Sequence, residues 1–163
     1  MGCAMLNLPF MKLTTLCFPT KDGKILLSLK KRGFGKGFLN GYGGKAQEGE
    51  MVELAAIREL SEEAGIDANQ TNLEKAAIID FFDGDNLISE CHVFFVAGWQ
   101  GEPVESDEMA KPEWFDRESM PYDRMWKADR EWLPLIFSGK KIHGKAYYTP
   151  GMAEFDRFEY VPL

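Results

Sequence analysis

Gly44-Lys45-Ala46-Gln47-Glu48-Gly49-Glu50 runs into Met51-Val52-Glu53-Leu54-Ala55-Ala56-Ile57, and then into Arg58-Glu59-Leu60-Ser61-Glu62-Glu63-Ala64-Gly65-Ile66. The stretch is dense in carboxylates, bounded by glycines, and rich in good helix formers through its middle. At about 100° per residue, Glu59, Glu62 and Glu63 share one sector, because spacings of three and four residues share a helix face. The same wheel puts Leu54, Ile57, Leu60 and Ala64 opposite them as the expected core stripe. Val52, Ala55 and Ala56 fall on the acidic side, where compact groups leave room for an approaching partner. Gly65 stands where a left-handed residue ends a helix. Three carboxylates on one face repel each other, and a hard divalent cation with its taste for oxygen ligands would remove that repulsion. The plainer alternative is a solvated acidic face, with Arg58 and Glu62 as a surface pair.

The rest of the chain bounds what such a helix can serve. The protein has 163 residues, 45% hydrophobic and 13% aromatic. That predicts one packed domain over residues 1–163. The net charge of −7 argues against nonspecific binding to nucleic acid or to an anionic membrane. Cys3, Cys17 and Cys91 show no paired spacing, which predicts reduced thiols in the cytoplasm. No apolar run is long enough to span a membrane. Met1 to Leu6 approaches a myristoylation signal, but Leu6 stands where Ser or Thr is wanted. No heptad or exposed apolar repeat is apparent, so a monomer is expected.

Upstream, Met1 to Phe10 reads as an arm. Leu13 to Phe18 and Ile25 to Leu29 read as a hairpin around Pro19 to Gly23. Lys30 to Phe38 is basic, glycine-rich and aromatic but lacks a Walker A pattern, and alone it reads as a solvated loop. Downstream, Ala76 to Phe82 and Leu87 to Ala97 form a second predicted hairpin about Asp83 to Asn86. His92 has no sequence partner and reads as structural. Pro112 to Phe115 is a short extended piece. A second helix is expected over about Ala128 to Ser138, and a last strand pair over Ile142 to Thr149 and Glu154 to Val161. Strands before, between and after two helices give an α/β fold with a mixed sheet, not a doubly wound parallel one.

The central stretch has a fixed form: Gly44, five residues, Glu50, seven residues, Arg58-Glu59, an aliphatic, any residue, Glu62-Glu63, any residue, Gly65, an aliphatic. That resembles the Nudix box at every fixed position. Seven fixed residues at roughly 7% background each would coincide in about one window in 10⁸. The resemblance implies an α/β/α sandwich with the sheet between helices. It also implies a loop–helix–loop that holds Mg²⁺ or Mn²⁺ and a reaction that cleaves a nucleoside diphosphate linkage.

The resemblance extends to Lys30–Lys45, Pro103–Met109 and Met125–Gly144. These are similar to the branch of the family that hydrolyses oxidised purine nucleoside triphosphates such as 8-oxo-dGTP and so sanitises the nucleotide pool. Carried over by position, it implies that Glu59, Glu62, Glu63, Glu108 and the Gly43 carbonyl hold metal. It implies that Thr15, Lys30, Phe34, Asn40, Phe81, Met109, Trp126, Asp129 and Trp132 line the base pocket. Glu63 is the expected general base, Glu59 the alternative, and Arg58 orients a glutamate. Trp126 and Phe34 offer flat faces for stacking, worth roughly 1–3 kcal/mol per base. Asn40 can donate and accept at a purine edge. The branch carries two adjacent aspartates where this chain has Ala128-Asp129, which predicts a narrower base preference. Other Nudix substrates (a methylated purine triphosphate, a dinucleoside polyphosphate, ADP-ribose) stay open at this point, as does a binding module without catalysis.

Overall fold

A computed structural model describes residues 12–163; the predicted arm and the Met1 to Leu6 signal lie outside them. The elements in chain order are β1 (Lys12–Lys21), β2 (Lys24–Leu29), β3 (Leu39–Asn40), α1 (Val52–Ala64), β4 (Leu73–Asp83), β5 (Asn86–Val96), β6 (Glu113–Asp116), α2 (Asp129–Phe137), β7 (Ile142–Tyr148) and β8 (Phe155–Pro162). One mixed sheet runs β3-β2-β1-β5-β4-β7-β8, with β6 beside β2. β1 lies parallel to β5 and β4 parallel to β7, while the other pairs are antiparallel.

Alternation along the strands feeds two cores. Leu16, Phe18, Val93, Phe95 and Ala146 face Trp132, Leu133 and Ile136 of α2. Cys17, Phe94 and Val96 face Ala56, Leu60 and Ala64 of α1. The result is the expected sandwich, helices on both faces of a mixed sheet.

The first hairpin turns more tightly than expected. Pro19 to Lys21 continue β1, and Asp22 and Gly23 alone make the turn, both at positive φ. A proline is tolerated in β1 where its missing N–H is not needed. Beyond Lys21 and Thr20, β1 leaves β2 and pairs with β5. This opens a gap between β1 and β2 at their far ends, and the chain after β3 fills it. Tyr42 and Cys17 exchange backbone hydrogen bonds, Thr15 N–H donates to Gly44 O (2.9 Å) and Ala46 N–H to Leu13 O (2.8 Å).

The helix α1 corrects the wheel. Gly65 ends it as expected, with φ 70° and its N–H on Ser61 O at 2.9 Å. The buried face, however, is Ala55, Ala56, Leu60, Glu63 and Ala64, while Leu54 is 43% exposed and Ile57 half-buried. The core face and the acidic face therefore overlap. Small side chains win the contact because α1 lies close on β1, near enough for the Cys17 thiol to meet Ala56 O at 3.9 Å. Leu54 and Ile57 are turned toward the rim. Of the three carboxylates Glu63 is consequently buried, while Glu62 keeps its exposure to solvent.

Candidate active site

Backbone proximity sets one wall of the site. A Cβ on Gly43 would stand 1.8 Å from the Thr15 carbonyl oxygen, so only glycine lets this loop lie against β1. Tyr42 O and Gly44 O both accept from β1, and alternation turns the Gly43 carbonyl the other way. Among the described residues it has no backbone partner. A Cβ on Gly44 would stand 2.6 Å from the Glu59 carboxyl carbon, so that glycine makes the cradle in which Glu59 rests.

Arg58 holds the acidic residues in order. Its Nε and Nη2 donate to the two oxygens of Glu50 at 3.0 and 2.9 Å, a bidentate clamp across the loop before α1. Its Nη1 donates to Glu59 at 2.9 Å and, more loosely, to Glu62 at 3.4 Å. The Arg58 hydrogen bonds drive the Glu50 carboxyl down to about 2. Glu62 stays exposed at the mouth.

Glu63 is different. It is 4% exposed and has no arginine. Burial pushes its carboxyl up to about 8, Lys30 opposes the shift, and the neighbouring Glu59 and Glu108 add to it. Glu108 arrives from a loop tied to β2 and the residues after it: Lys31 N–H donates to Glu108 O at 2.8 Å, and Ala110 N–H to Leu29 O at 2.9 Å. Its carboxylate meets Lys30 at 3.4 Å and Arg32 at 3.2 Å. Burial works to raise this carboxyl, but the Arg32 hydrogen bond and the Lys30 charge outweigh it, and the balance falls below the usual range.

Glu59, Glu62, Glu63, Glu108 and Gly43 all line one cleft of about 670 Å³, with Lys30 and Arg32 on its rim. The donors are all oxygen, the set a hard divalent ion prefers. Like charges crowd at Glu63, and one uncommitted carbonyl points away from the sheet. The residues therefore fit such an ion. Among the described residues no three acids already converge on one point. Arg58 holds Glu59 and Glu62, while Lys30 and Arg32 hold Glu108.

Gly43, Gly44, Lys30 and Glu63 also line a second cavity, of about 570 Å³, so the two spaces share a wall. Thr15, Phe34, Asn40, Phe81, Met109, Trp126 and Asp129 complete the predicted base-pocket residues that line it. Phe34 is 70% exposed and stacks on Trp126 with centroids 5.1 Å apart. The Lys30 to Phe38 loop is solvated as expected, yet it also roofs this cavity. Asn40 accepts from Gly41 N–H at 2.9 Å, and among the described residues its amide donors make no hydrogen bond. Asp129 is buried at the start of α2, and burial lifts its carboxyl to about 7.

Trp132 is the exception. It is 1% exposed, packs on Phe18 with centroids 6.2 Å apart, and does not line the cavity. Its place inside α2, three residues past Asp129, carries it into the core. Its indole N–H faces the Asp129 carboxyl, but hydrogen-bond geometry is not reached and the group stays unsatisfied. Lys127 and Arg130 are exposed; Arg130 pairs with Asp123 at 3.1 Å, and neither reaches the cavity. His92 meets Lys75 and Glu90, both at 2.7 Å, away from the site.

Tyr148 is one of several cavity residues that sequence reasoning missed, with Thr14, Ser89, Cys91 and Met152 among the others. The available signal was alternation: Ile142, Gly144, Ala146 and Tyr148 share one face of β7.

An acidic cleft at the end of a box helix, opening into an aromatic cavity, is the architecture of a Nudix site. A NUDIX domain model matches residues 12–136, and the chain belongs to the Nudix family. Hydrolases of this family need divalent metal ions. The chain is 45% identical over 134 residues to the oxidized purine nucleoside triphosphate hydrolase of Danio rerio, covering 82% of this chain and 84% of that protein. It is 41% identical to the Mus musculus protein of the same name, with the same coverage. Among solved structures, MutT NUDIX hydrolase from Burkholderia pseudomallei is 28% identical, with a TM-score of 0.67 over 77% of this chain and 97% of that one. MutT protein from Bacillus halodurans shares the fold at a TM-score of 0.78, 92% and 97% coverage and 24% identity. No helix among the described residues is long and apolar enough to cross a membrane.

Proposed function

We propose that the protein hydrolyses oxidised purine nucleoside triphosphates such as 8-oxo-dGTP to the monophosphate and pyrophosphate. The reading takes the chain as one domain acting as a monomer on the cytoplasmic nucleotide pool. The observation that carries it is the shared wall: an aromatic cavity with Asp129 and Asn40 opens past Glu63 and Gly43 into the acidic cleft. The names of the fish and mouse relatives support the substrate class.

In this reading the base stacks in the cavity that Trp126 and Phe34 line, with Asn40 and Asp129 on its polar edge. Lys30 and Arg32 leave Glu108 and take phosphate oxygens, which keeps the triphosphate extended along the cleft. Glu59, Glu62, Glu63, Glu108 and the Gly43 carbonyl would hold Mg²⁺ or Mn²⁺. Such an ion, when bound, neutralises phosphate charge and acidifies water. Water adds to the α-phosphorus, the α–β phosphoanhydride bond breaks, and pyrophosphate leaves. Glu63 takes the proton from that water. Glu59 suits the task less, because Arg58 already holds its carboxylate. Asp129, without a second acid at Ala128, narrows the base preference.

The test is a turnover panel with Mg²⁺: normal, oxidised and methylated purine triphosphates, ADP-ribose and a dinucleoside polyphosphate. Pyrophosphate release fastest from an oxidised purine triphosphate is the expected result. Faster formation of a nucleoside monophosphate from ADP-ribose or of mononucleotides from the dinucleotide would overturn the substrate, and no mononucleotide product from any of them would overturn the enzyme. Equal kcat/KM for 8-oxo-dGTP and 2-oxo-dATP would sink the narrowed preference.

A further inference from the structure

The polar end of the base cavity holds a group that the reading above leaves idle. Tyr148, the last residue of β7, is 3% exposed and lines the cavity. Its Oη accepts a hydrogen bond from Ala128 N–H at 3.1 Å, at the backbone step immediately before Asp129. Its ring is gripped edge-on from two sides, by Trp126 at 5.9 Å and 83° and by Phe155 at 5.6 Å and 67°. The ring therefore has one orientation. A phenol that accepts one bond still has a proton to give, and among the described residues no oxygen takes it. A buried hydroxyl donor without an acceptor is costly in a chain that could place phenylalanine there.

The electrostatics fit a donor. Burial is the main reason the Tyr148 phenol is pushed up to about 12, the Ala128 N–H opposes the shift, and the Asp129 charge adds to it. Tyr148 thus stays protonated wherever the protein is folded and active. Asp129, next to it, is the acceptor when ionised. Ala128 contributes a methyl group, so no second carboxylate competes for the hydroxyl.

We infer that Tyr148 is a specificity-determining residue: its hydroxyl donates to the base carbonyl that flanks the ring N–H accepted by Asp129. The pair reads a lactam, N–H beside C=O, the edge that a guanine-type base presents. This deepens the proposed function and rests on it.

The test is a double-mutant cycle between protein and substrate. Tyr148→Phe keeps the ring and its packing and deletes the hydroxyl. 8-Oxo-dGTP and its 6-thio analogue share the ring N–H, but sulfur is a poor acceptor. In the wild-type protein, exchange of oxygen for sulfur is expected to cost about five- to tenfold more in kcat/KM than in Tyr148→Phe, the size of one neutral hydrogen bond. The difference should appear in KM and leave kcat nearly unchanged. A merely structural hydroxyl gives the opposite pattern: both substrates fall by the same factor, the cycle closes without coupling, and the melting temperature drops. That outcome overturns the inference while wild-type turnover of 8-oxo-dGTP still stands. If the wild-type protein turns over neither triphosphate, the proposed function fails and the inference falls with it.

Discussion

Glu63 and Asp129 are both buried carboxyls at the two ends of one continuous space, and both titrate well above the ordinary range. Their reasons differ. Glu63 is raised by burial and then by other acids, Glu59 and Glu108, with Lys30 in opposition. Asp129 is raised by burial alone, and nearby donors only reduce the shift. The first is a crowding of like charge, relieved by positive charge. The second is a carboxyl without water, relieved by hydrogen bonds from a ligand. One end of the site is therefore built to receive cations and the other a polar edge. A triphosphate-bearing base has the same polarity, charge at one end and hydrogen-bonding edge at the other.

The sharpest break of this comparison is Glu63→Gln. It keeps the shape and removes both the proton acceptor and one oxygen of the cluster. We expect kcat to fall by about 10²–10⁴, the usual weight of a general base. The melting temperature should hold or rise, since a buried acid leaves the cluster. Near-normal turnover would move the role to Glu59.

Gly44→Ala tests whether that end depends on placement. The new methyl group would meet the Glu59 carboxyl at 2.6 Å, and the Arg58 clamp leaves Glu59 little room to yield. Misplacement of about 1 Å costs roughly 10²-fold. We expect a loss of that order with Tm little changed, because the clash is with a side chain at the cleft and not with the core. Full activity would mean that the cradle is incidental.

Asp129→Asn tests the other end. A hydrogen bond to a charged group is worth about 1.5–3 kcal/mol, so kcat/KM for the preferred base should fall about ten- to a hundredfold. Poor substrates should change little. A uniform loss across bases in the panel would assign Asp129 to packing.

The two ends were unequally legible in the sequence. The cation end is one contiguous stretch whose spacing carries its own geometry, and Glu59, Glu62 and Glu63 reach a common cleft as the wheel requires. What the wheel misjudged was the face. It ranked Leu54 and Ile57 as core by hydrophobicity, but the close approach of α1 to β1 selects Ala55 and Ala56. Sequence records side-chain chemistry more directly than it records the distance between elements. The base end is assembled from β1, β3, β4, β5, β7, α2 and the loops between them. Its members were reached through resemblance, and of the two roles that a helical Trp132 left open, core and pocket lining, the structure shows the core. Tyr148 was missed because its place depends on the β4–β7 register, which sets it opposite Asp83 and above Ala128. Alternation along β7 puts Tyr148 and Tyr147, which stacks on Phe82, on opposite faces, but it does not say which face meets the cavity.

The smallest expected effect separates the two carboxyls by pH. Asp129 titrates near 7 in the folded protein and near 3.8 when unfolded. Between those values the folded state holds a proton that the unfolded state has lost, so stability falls as pH rises. The contribution is complete below the unfolded value and is gone once pH has passed through the folded one. Between pH 6 and pH 8 the loss is about 1.4 kcal/mol, one pKa unit's worth, because most of the upper titration lies in that window. For a domain of this size that lowers Tm by roughly 3–6 °C. The amide that replaces the carboxyl in Asp129→Asn cannot titrate, so the difference in Tm between wild type and this variant should change by that amount across the window. Glu63 contributes equally to both proteins and cancels. A Tm difference that stays flat from pH 6 to pH 8 would mean that Asp129 is already ionised in the folded protein. The base end would then be a fixed acceptor, as charged as the cation end, and the contrast between the two would rest on their partners alone.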